Sequence, residues 1–446
     1  MAKRLNICVF DDEFTYRLLP LVYLRPVYDL RCGMMSVREK IARIFPSSSL
    51  TLHCRSMLEE VVRLKNPKHS VNKLVADSYL LINGRVLPNE ALVKLFRSVP
   101  KEDTVFVQGA VVVAAFLSGE NLDLIRASKG QLLSVEHFGD VPKVEVEANL
   151  LSYPWDLIHK NGSELLNDYR ALAKTTKGPR IRGKVYAGVH ILGKRDVMLG
   201  KGSVLKPGVV LDAENGPIVI GENVKVFPQA TIIGPAFIGS GSLVKVGAQI
   251  YENTSIGPVC KVGGEIVGTI IHGYSNKQHS GFLGQSYVGE WVNLGADTNN
   301  SDLKNNYSTV KVDLGVETVD SKSQFVGLMM GDHSKSGINT MFNTGTVVGA
   351  FCNVFGSGFP AKHIPSFSWG GAEGMEEYDV DRALEVARRV MSRRGVTLSP
   401  EEEKLIRALY ESTEPDRVRR GVPTHSASGG EVLRHAGVIR GKGEKQ

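Results

Sequence analysis

A chain of 446 residues exceeds one ordinary domain, and two large domains plus a tail is the first expectation. Apolar residues make up 42% and charged residues 23%, as in a water-soluble folded chain, and no apolar run reaches the length of a membrane span. The net charge is +7, but basic residues are interspersed with acidic ones over most of the chain, so neither a nucleic-acid nor a membrane partner is expected.

The opening MAKRLNICVFDDEF has too short an apolar run for a signal-peptide core, which points to a cytoplasmic location. Residues 1–150 read as α/β. NICVF is a strand, MSVREKIARIF a helix with Val37, Ile41 and Ile44 on one face, and KLVADSYLLING a strand ending at an Asn-Gly turn. NEALVKLFRSV is an amphipathic helix, and DTVFVQGAVVVAAFL a pair of buried strands around Gly109. Residues 151–180 form a helical connector. The five cysteines, Cys8, Cys32, Cys54, Cys260 and Cys352, make no CxxC pair and read as buried thiols.

From about residue 185 a period of six replaces helical periodicity. Ile220, Val226, Ile232, Ile238, Val244, Ile250, Ile256 and Val262 follow one another at six-residue intervals, and Ile-Gly recurs at 220, 238 and 256. Upstream, Val185, Ile191, Val197 and Val209 keep a six-residue phase, with Ser203 as the exception; downstream, Phe282, Val288 and Leu294 resume it in a shifted phase. Such a repeat fits a solenoid whose coil has three flat faces, each supplying one inward aliphatic per hexapeptide. The period lapses between Val262 and Phe282 and again across DTNNSDLKNNYST, and both lapses should be loops at a coil corner. The solenoid spans 181–370. Residues 371–446 are a helical tail: VDRALEVARRVMSRRG is an amphipathic helix stopped at Gly395, and SPEEEKLIRALYES carries a Ser399/Glu402 capping box with Pro400 at its first position. Residues 417–446, with seven Lys/Arg against two Glu, should be flexible.

The stretch IVGTIIHGYSNKQHSGFLGQSYVGEWVNLGADTNNSDLKNNYSTVKV resembles the acetyltransferase segment of the bifunctional N-acetylglucosamine-1-phosphate uridyltransferase/glucosamine-1-phosphate acetyltransferase family. The likeness is to a divergent sugar nucleotidyltransferase branch, extends over about residues 1–370, and is most specific in 275–312. It implies an α/β nucleotidyltransferase domain followed by a left-handed parallel β-helix that trimerises. It implies His279 as the catalytic base, Asn293 in VNLGADT and the Asn306–Tyr307 pair as substrate contacts, and Ala296 as the place where acetyl-CoA packs. Phe282 stands where the family has a tyrosine, which leaves the sugar open, and Lys277 and Lys304 stand in for its basic residues. The chemistry agrees: a histidine can take the proton of an attacking sugar ammonium near neutral pH, and asparagines, tyrosine and lysine suit a sugar phosphate. Asn293 also fits an asparagine ladder between coils, so both readings of it stand.

In the N-terminal domain, Arg17, Pro20 and Leu21 match the family pattern and Arg25-Pro26 stands near its Pro-Lys. Arg17 and Arg25 are candidate phosphate ligands, but Asp11, Asp12 and Glu13 replace the glycines that cradle phosphates. Asn83-Gly84-Arg85 occupies the place of the expected metal-binding Asp. Two functions are therefore open. One is an acetyl-CoA-dependent transferase for an amino-sugar phosphate, with nucleotidyl transfer from UTP or dTTP using Mg²⁺ if the N-terminal domain is active. The other is a non-catalytic nucleotide-sugar-binding regulator that uses the β-helix as a trimerisation scaffold.

Overall fold

The computed structural model describes residues 5–98 and 100–423. Its N-terminal unit is a seven-stranded sheet in the order Lys143–Glu145, Thr104–Gln108, Val111–Ser118, Ser78–Asn83, Asn6–Phe10, Ser49–His53, Ser70–Val71. The strand Val111–Ser118 runs antiparallel to both of its neighbours, and the other pairings are parallel. The inner strand Asn6–Phe10 is buried from Ile7 to Phe10, as its unbroken apolar run requires. Helix Val37–Ile44 begins at a reciprocal cap between Ser36 and Glu39.

From about residue 181 to 371, apart from the excursion near 301–325, the chain winds into a parallel β-helix with three sheet faces. The hexapeptide positions from Ile220 to Val262 all point inward and are at most 1% exposed. Upstream, the periodicity needs correction. Leu205 stacks under Val226 and Leu199 under Ile220, so Leu199, Leu205 and Leu211 fill the core. Ser203 belongs to a corner, where its hydroxyl donates to the Gly221 carbonyl at 2.7 Å and accepts from the Val224 N–H at 2.9 Å. Downstream, the inward position belongs to Leu283 and not to Phe282, which is only half-buried.

Helix Pro154–Thr175 joins the two units. Lys40 reaches its Asp168 at 2.6 Å and Glu164 at 2.8 Å, while Asn161 accepts from the Gly33 N–H at 2.7 Å and donates to the Asn253 carbonyl at 2.7 Å. Helices Val380–Ser392, Pro400–Ser412 and Glu414–Arg419 fold back over one solenoid corner. Arg417, which composition assigned to the tail, is fully buried against Glu377 at 3.0 Å, so residues 417–423 belong to the fold. The remainder of the expected tail, 424–446, lies outside the described residues.

At that corner five rings stack in register, one per coil: Tyr274, Trp291, His333, Phe351 and Phe367. Each has φ between 53° and 60°, a backbone region that bulky side chains rarely adopt. Ring stacking and the helices packed over them offset that cost.

Candidate functional site

The corner carrying His279 is built from strand Asn276–Lys277, the turn 278–281 and strand Phe282–Gly284. Lys277 occupies the place of an inward aliphatic, paired beside Val262. It is 3% exposed, and its Nζ donates to the carbonyls of His279 at 2.8 Å and Ser280 at 3.1 Å. Burial pushes its ammonium down to about 8, with Asp297 opposing. The buried lysine thus holds the turn from inside. From outside, Ser280 donates to Asp297. Gly281 has φ 109°, and a Cβ there would lie 2.3 Å from the Thr298 carbonyl, so only glycine passes through this point. His279 is exposed, and its ring has no hydrogen-bond partner among the described residues.

The other expected residues distribute around this corner. Phe282 follows it, its N–H bonded to Asn299 Oδ1 at 2.7 Å. Ala296 sits half-buried at the same corner one coil on, its carbonyl accepting from the Asn339 N–H at 2.8 Å. Asn293 accepts from Asn276 Nδ2 at 3.2 Å across adjacent coils, a rung of an asparagine ladder. Asn306 and Tyr307 are exposed on the long excursion, with Tyr307 65% exposed, and no hydrogen bond links them to His279 among the described residues. Lys304 turns back onto the Thr309 carbonyl at 2.6 Å. That excursion folds into the hairpin Lys311–Asp313 with Thr318–Asp320, and its Val310, Val312 and Leu314 enter the core of the N-terminal domain.

At the N-terminal domain the candidate nucleotide edge is closed. Asp12 is 3% exposed and bound by Arg85 Nε at 2.8 Å and Asn83 Nδ2 at 2.8 Å. Asp11 is fully buried, accepts from the Val27 N–H at 2.8 Å and lies 3.4 Å from Arg55; burial pushes its carboxyl up to about 6 against the pull of Arg55. A divalent cation needs free carboxylate oxygens. Here both oxygens of Asp12 are engaged, and the one oxygen of Asp11 without a hydrogen bond is buried against the Arg55 guanidinium, so these residues do not fit Mg²⁺. No group of three or more potential metal ligands occurs among the described residues. Arg17 lies 3.7 Å from Glu317 of the excursion, and Arg25 is buried between Glu290 at 3.2 Å and Asp332 at 2.9 Å. Arg25 therefore arrives with its charge already compensated.

Two features escaped sequence reasoning. One is the Arg25–Glu290–Asp332 cluster, where the N-terminal domain meets the solenoid. Its partners lie 265 and 307 residues away in the chain, and no local pattern signals them. The other is a cleft of about 270 Å³ between one solenoid face and the end of helix Val380–Ser392, lined by Asn293, Gln278, two lysines and two arginines. The Arg393-Arg394 pair just before Gly395 was its only visible signal.

Residues 7–177 match the family model described as sugar nucleotidyl transferase. The chain is 34% identical over 111 residues to the bifunctional protein GlmU of Rippkaea orientalis, a stretch covering 24% of this chain and 23% of that protein. It is 29% identical over 234 residues to the GlmU of Methanococcus aeolicus, covering 52% and 46%. It is 28% identical over 148 residues to a bifunctional sugar-1-phosphate nucleotidylyltransferase/acetyltransferase of Sulfurisphaera tokodaii, covering 30% and 37%. The matched stretches therefore span less than half the length of these relatives. Among solved structures, a UDP-N-acetylglucosamine acyltransferase of Francisella novicida matches at 19% identity with a TM-score of 0.24, covering 52% of this chain and 77% of that one. The chain resembles the bifunctional sugar-phosphate nucleotidyltransferase/acetyltransferase proteins. No helix among its described residues is long and apolar enough to cross a membrane.

Proposed function

We propose that this protein is a transferase acting on sugar phosphates in the manner of a nucleotide-sugar pathway enzyme, and that its chemistry is acetyl-CoA-dependent N-acetylation of an amino-sugar phosphate at the His279 corner. The observation that carries the reading is a histidine ring free of partners on a turn fixed from inside by Lys277 and from outside by Asp297. A general base must be free to accept a proton and must be held in place; this corner meets both conditions. In the reaction the imidazole takes one proton from the ammonium, which frees the nitrogen lone pair. The amine nitrogen bonds to the thioester carbon, the C–S bond breaks, and the departing thiolate takes up the second nitrogen proton to leave as the CoA thiol. Ala296, at the same corner one coil further along, suits the passage of the pantetheine arm. Asn306 and Tyr307, exposed on the excursion, are the proposed contacts for the sugar phosphate. Assembly as a homotrimer belongs to the same reading.

The test is release of free CoA thiol from acetyl-CoA with glucosamine-1-phosphate as acceptor, in the native protein and in His279→Ala. Acceptor-dependent release that is lost in the variant supports the assignment; equal turnover in both removes it.

A second reading concerns the N-terminal domain alone, and the engagement of Asp12 by Arg85 and Asn83 favours it. In it the domain holds a nucleotide sugar without nucleotidyl transfer. Pyrophosphate release from UTP or dTTP with sugar-1-phosphates and Mg²⁺ is then expected to be absent, and measurable release would overturn it.

A further inference from the structure

The mixture of charges over the whole chain conceals one segment. Residues 174–206 hold nine Lys/Arg against a single acid, Asp196, and so carry more than the entire net charge of +7. They run from the end of helix Pro154–Thr175 through the first coil of the solenoid into the second. Eight of the nine cations are exposed. Only Arg182 lies within ion-pair distance of a carboxylate among the described residues, Glu222 at 3.6 Å. Lys184 and Lys206 stand over the Tyr186 ring at 4.4 and 4.7 Å. A hydrogen bond from Lys184, followed by the charges of both lysines, lowers the Tyr186 phenol below its ordinary value. The same coil is the open end of the solenoid. Its strands Lys184–Val185 and His190–Leu192 are each the outermost of a six-stranded sheet and pair on one side only. The N–H groups of Lys184 and Tyr186 donate to the Ser203 and Leu205 carbonyls of the next coil at 2.8 and 3.2 Å. Strand alternation therefore turns the N–H and C=O of Val185 to the open edge. Val185 stacks under the inward Leu205, yet it is 38% exposed, where the inward positions from Ile220 to Val262 are at most 1%. An uncovered strand edge is a template for another strand.

We propose that this open end docks an extended acidic segment of a partner protein, which adds a strand beneath Lys184–Val185. Its backbone satisfies the free N–H and C=O of Val185. Successive strand side chains alternate between the two sides, so an aliphatic residue of the segment covers Val185 while the Asp or Glu on either side of it point outward. There they meet the cations of Arg182, Lys184 and Lys206. The segment it fits therefore alternates acidic and aliphatic residues. A nucleic acid would supply the charge, but neither the strand nor the aliphatic cover. An anionic lipid surface would supply charge and apolar depth, but would leave the strand edge unpaired.

Fluorescence anisotropy of a labelled synthetic peptide that alternates Glu with Val and Ile, titrated with the full chain, tests this. The peptide should bind saturably with one site per chain. Arg182→Glu/Lys184→Glu should weaken it at least about tenfold, because like charges then face each other. Val185→Pro keeps every charge and removes the edge donor, and should weaken it about fivefold. Should Val185→Pro disturb the coil, N-methylation of the peptide backbone reads the same pairing from the other side, with a loss of the same size. Lys94→Gln/Lys101→Gln, on the N-terminal domain, should leave binding unchanged. Absent saturation, an unaffected charge-reversal variant, or equal affinity for a peptide of the same composition with its Glu residues gathered at one end would each overturn the proposal. Tighter binding of an oligothymidylate or of phosphatidylserine vesicles than of the peptide would overturn it in favour of a nucleic acid or a membrane.

Discussion

Two places that the sequence marks for chemistry are built in opposite ways. At the end of strand Asn6–Phe10, the charged residues face inward and find partners: Asp12 binds Arg85 and Asn83, and Asp11 sits against Arg55 and the Val27 N–H. At the solenoid corner the buried polar groups are scaffolding, and His279, the proposed base, is left outside and unpaired. Buried ionic groups tie up their own valences and so support structure. A group that must exchange protons with a substrate has to keep a free lone pair. The contrast gives structural work to the acidic residues of the N-terminal edge and is the reason the proposal puts its chemistry at the corner.

Removal of the imidazole is the strongest challenge to that contrast. His279→Ala should lower acetyl transfer by a factor on the order of 10²–10⁴ while leaving the melting temperature unchanged, because the ring makes no bond that folding needs. Steady-state kinetics with thermal denaturation reads both. Arg85→Ala should do the reverse. It leaves the Asp12 carboxylate buried and uncompensated, so a loss of about 3–5 kcal/mol is expected in urea unfolding. Native stability in that variant would mean that the edge opens to solvent and that the Asp12 carboxylate is not held by Arg85.

How far the sequence could be read follows the same division. The inward hexapeptide positions from Ile220 to Val262 were legible because a narrow solenoid core accepts little but aliphatic side chains. Legibility failed where a polar residue takes an inward place. Lys277 and Asn300 do so, the latter exchanging hydrogen bonds with the Gly284 backbone at 2.9 and 3.0 Å. Once such residues enter, coil length changes from 18 residues (Val244 to Val262) to 15 (Val262 to Lys277), and phase counting places Phe282 where Leu283 belongs. The aromatic stack was hidden for another reason: its register depends on left-handed backbone at each corner, and composition carries no record of φ. The corner histidine was recognisable through family resemblance, whereas the lysine that fixes it was read as a substrate contact.

That lysine offers the next test. Lys277 titrates at about 8 in the folded chain, against 10.5 when exposed to water. Between those values the unfolded chain holds a proton that the folded chain does not, so this group makes stability rise with pH across the window from about 8 to 10.5. Lys335 contributes in the same direction. The melting temperature of Lys277→Met should climb less across that window than that of the native protein. Equal slopes would mean that the ammonium is hydrated and that the turn is not held from within. Because the lysine touches the carbonyl of His279, the variant should also lower kcat for acetyl transfer more than it raises KM.

The smallest effect is expected at the seam between the two units. Burial, the largest single effect, raises the carboxyl of Glu290, but the combined pull of Arg25, His272 and Lys65 outweighs it and brings the carboxyl down to about 2, against 4.5 in water. Its folded-state pKa is depressed, so its stabilising contribution is complete above 4.5 and is lost as pH falls from there toward 2. Glu290→Gln should flatten the acid limb of the stability profile in that window and leave the profile near neutrality slightly lowered. The change is limited because Asp332 remains 2.9 Å from Arg25 and keeps the guanidinium compensated. If the acid limb is unchanged in Glu290→Gln but flattened in Asp332→Asn, then Asp332 is the carboxylate that holds the N-terminal domain against the solenoid, and Glu290 is free to serve the small cavity it lines beside Lys65 and Trp291.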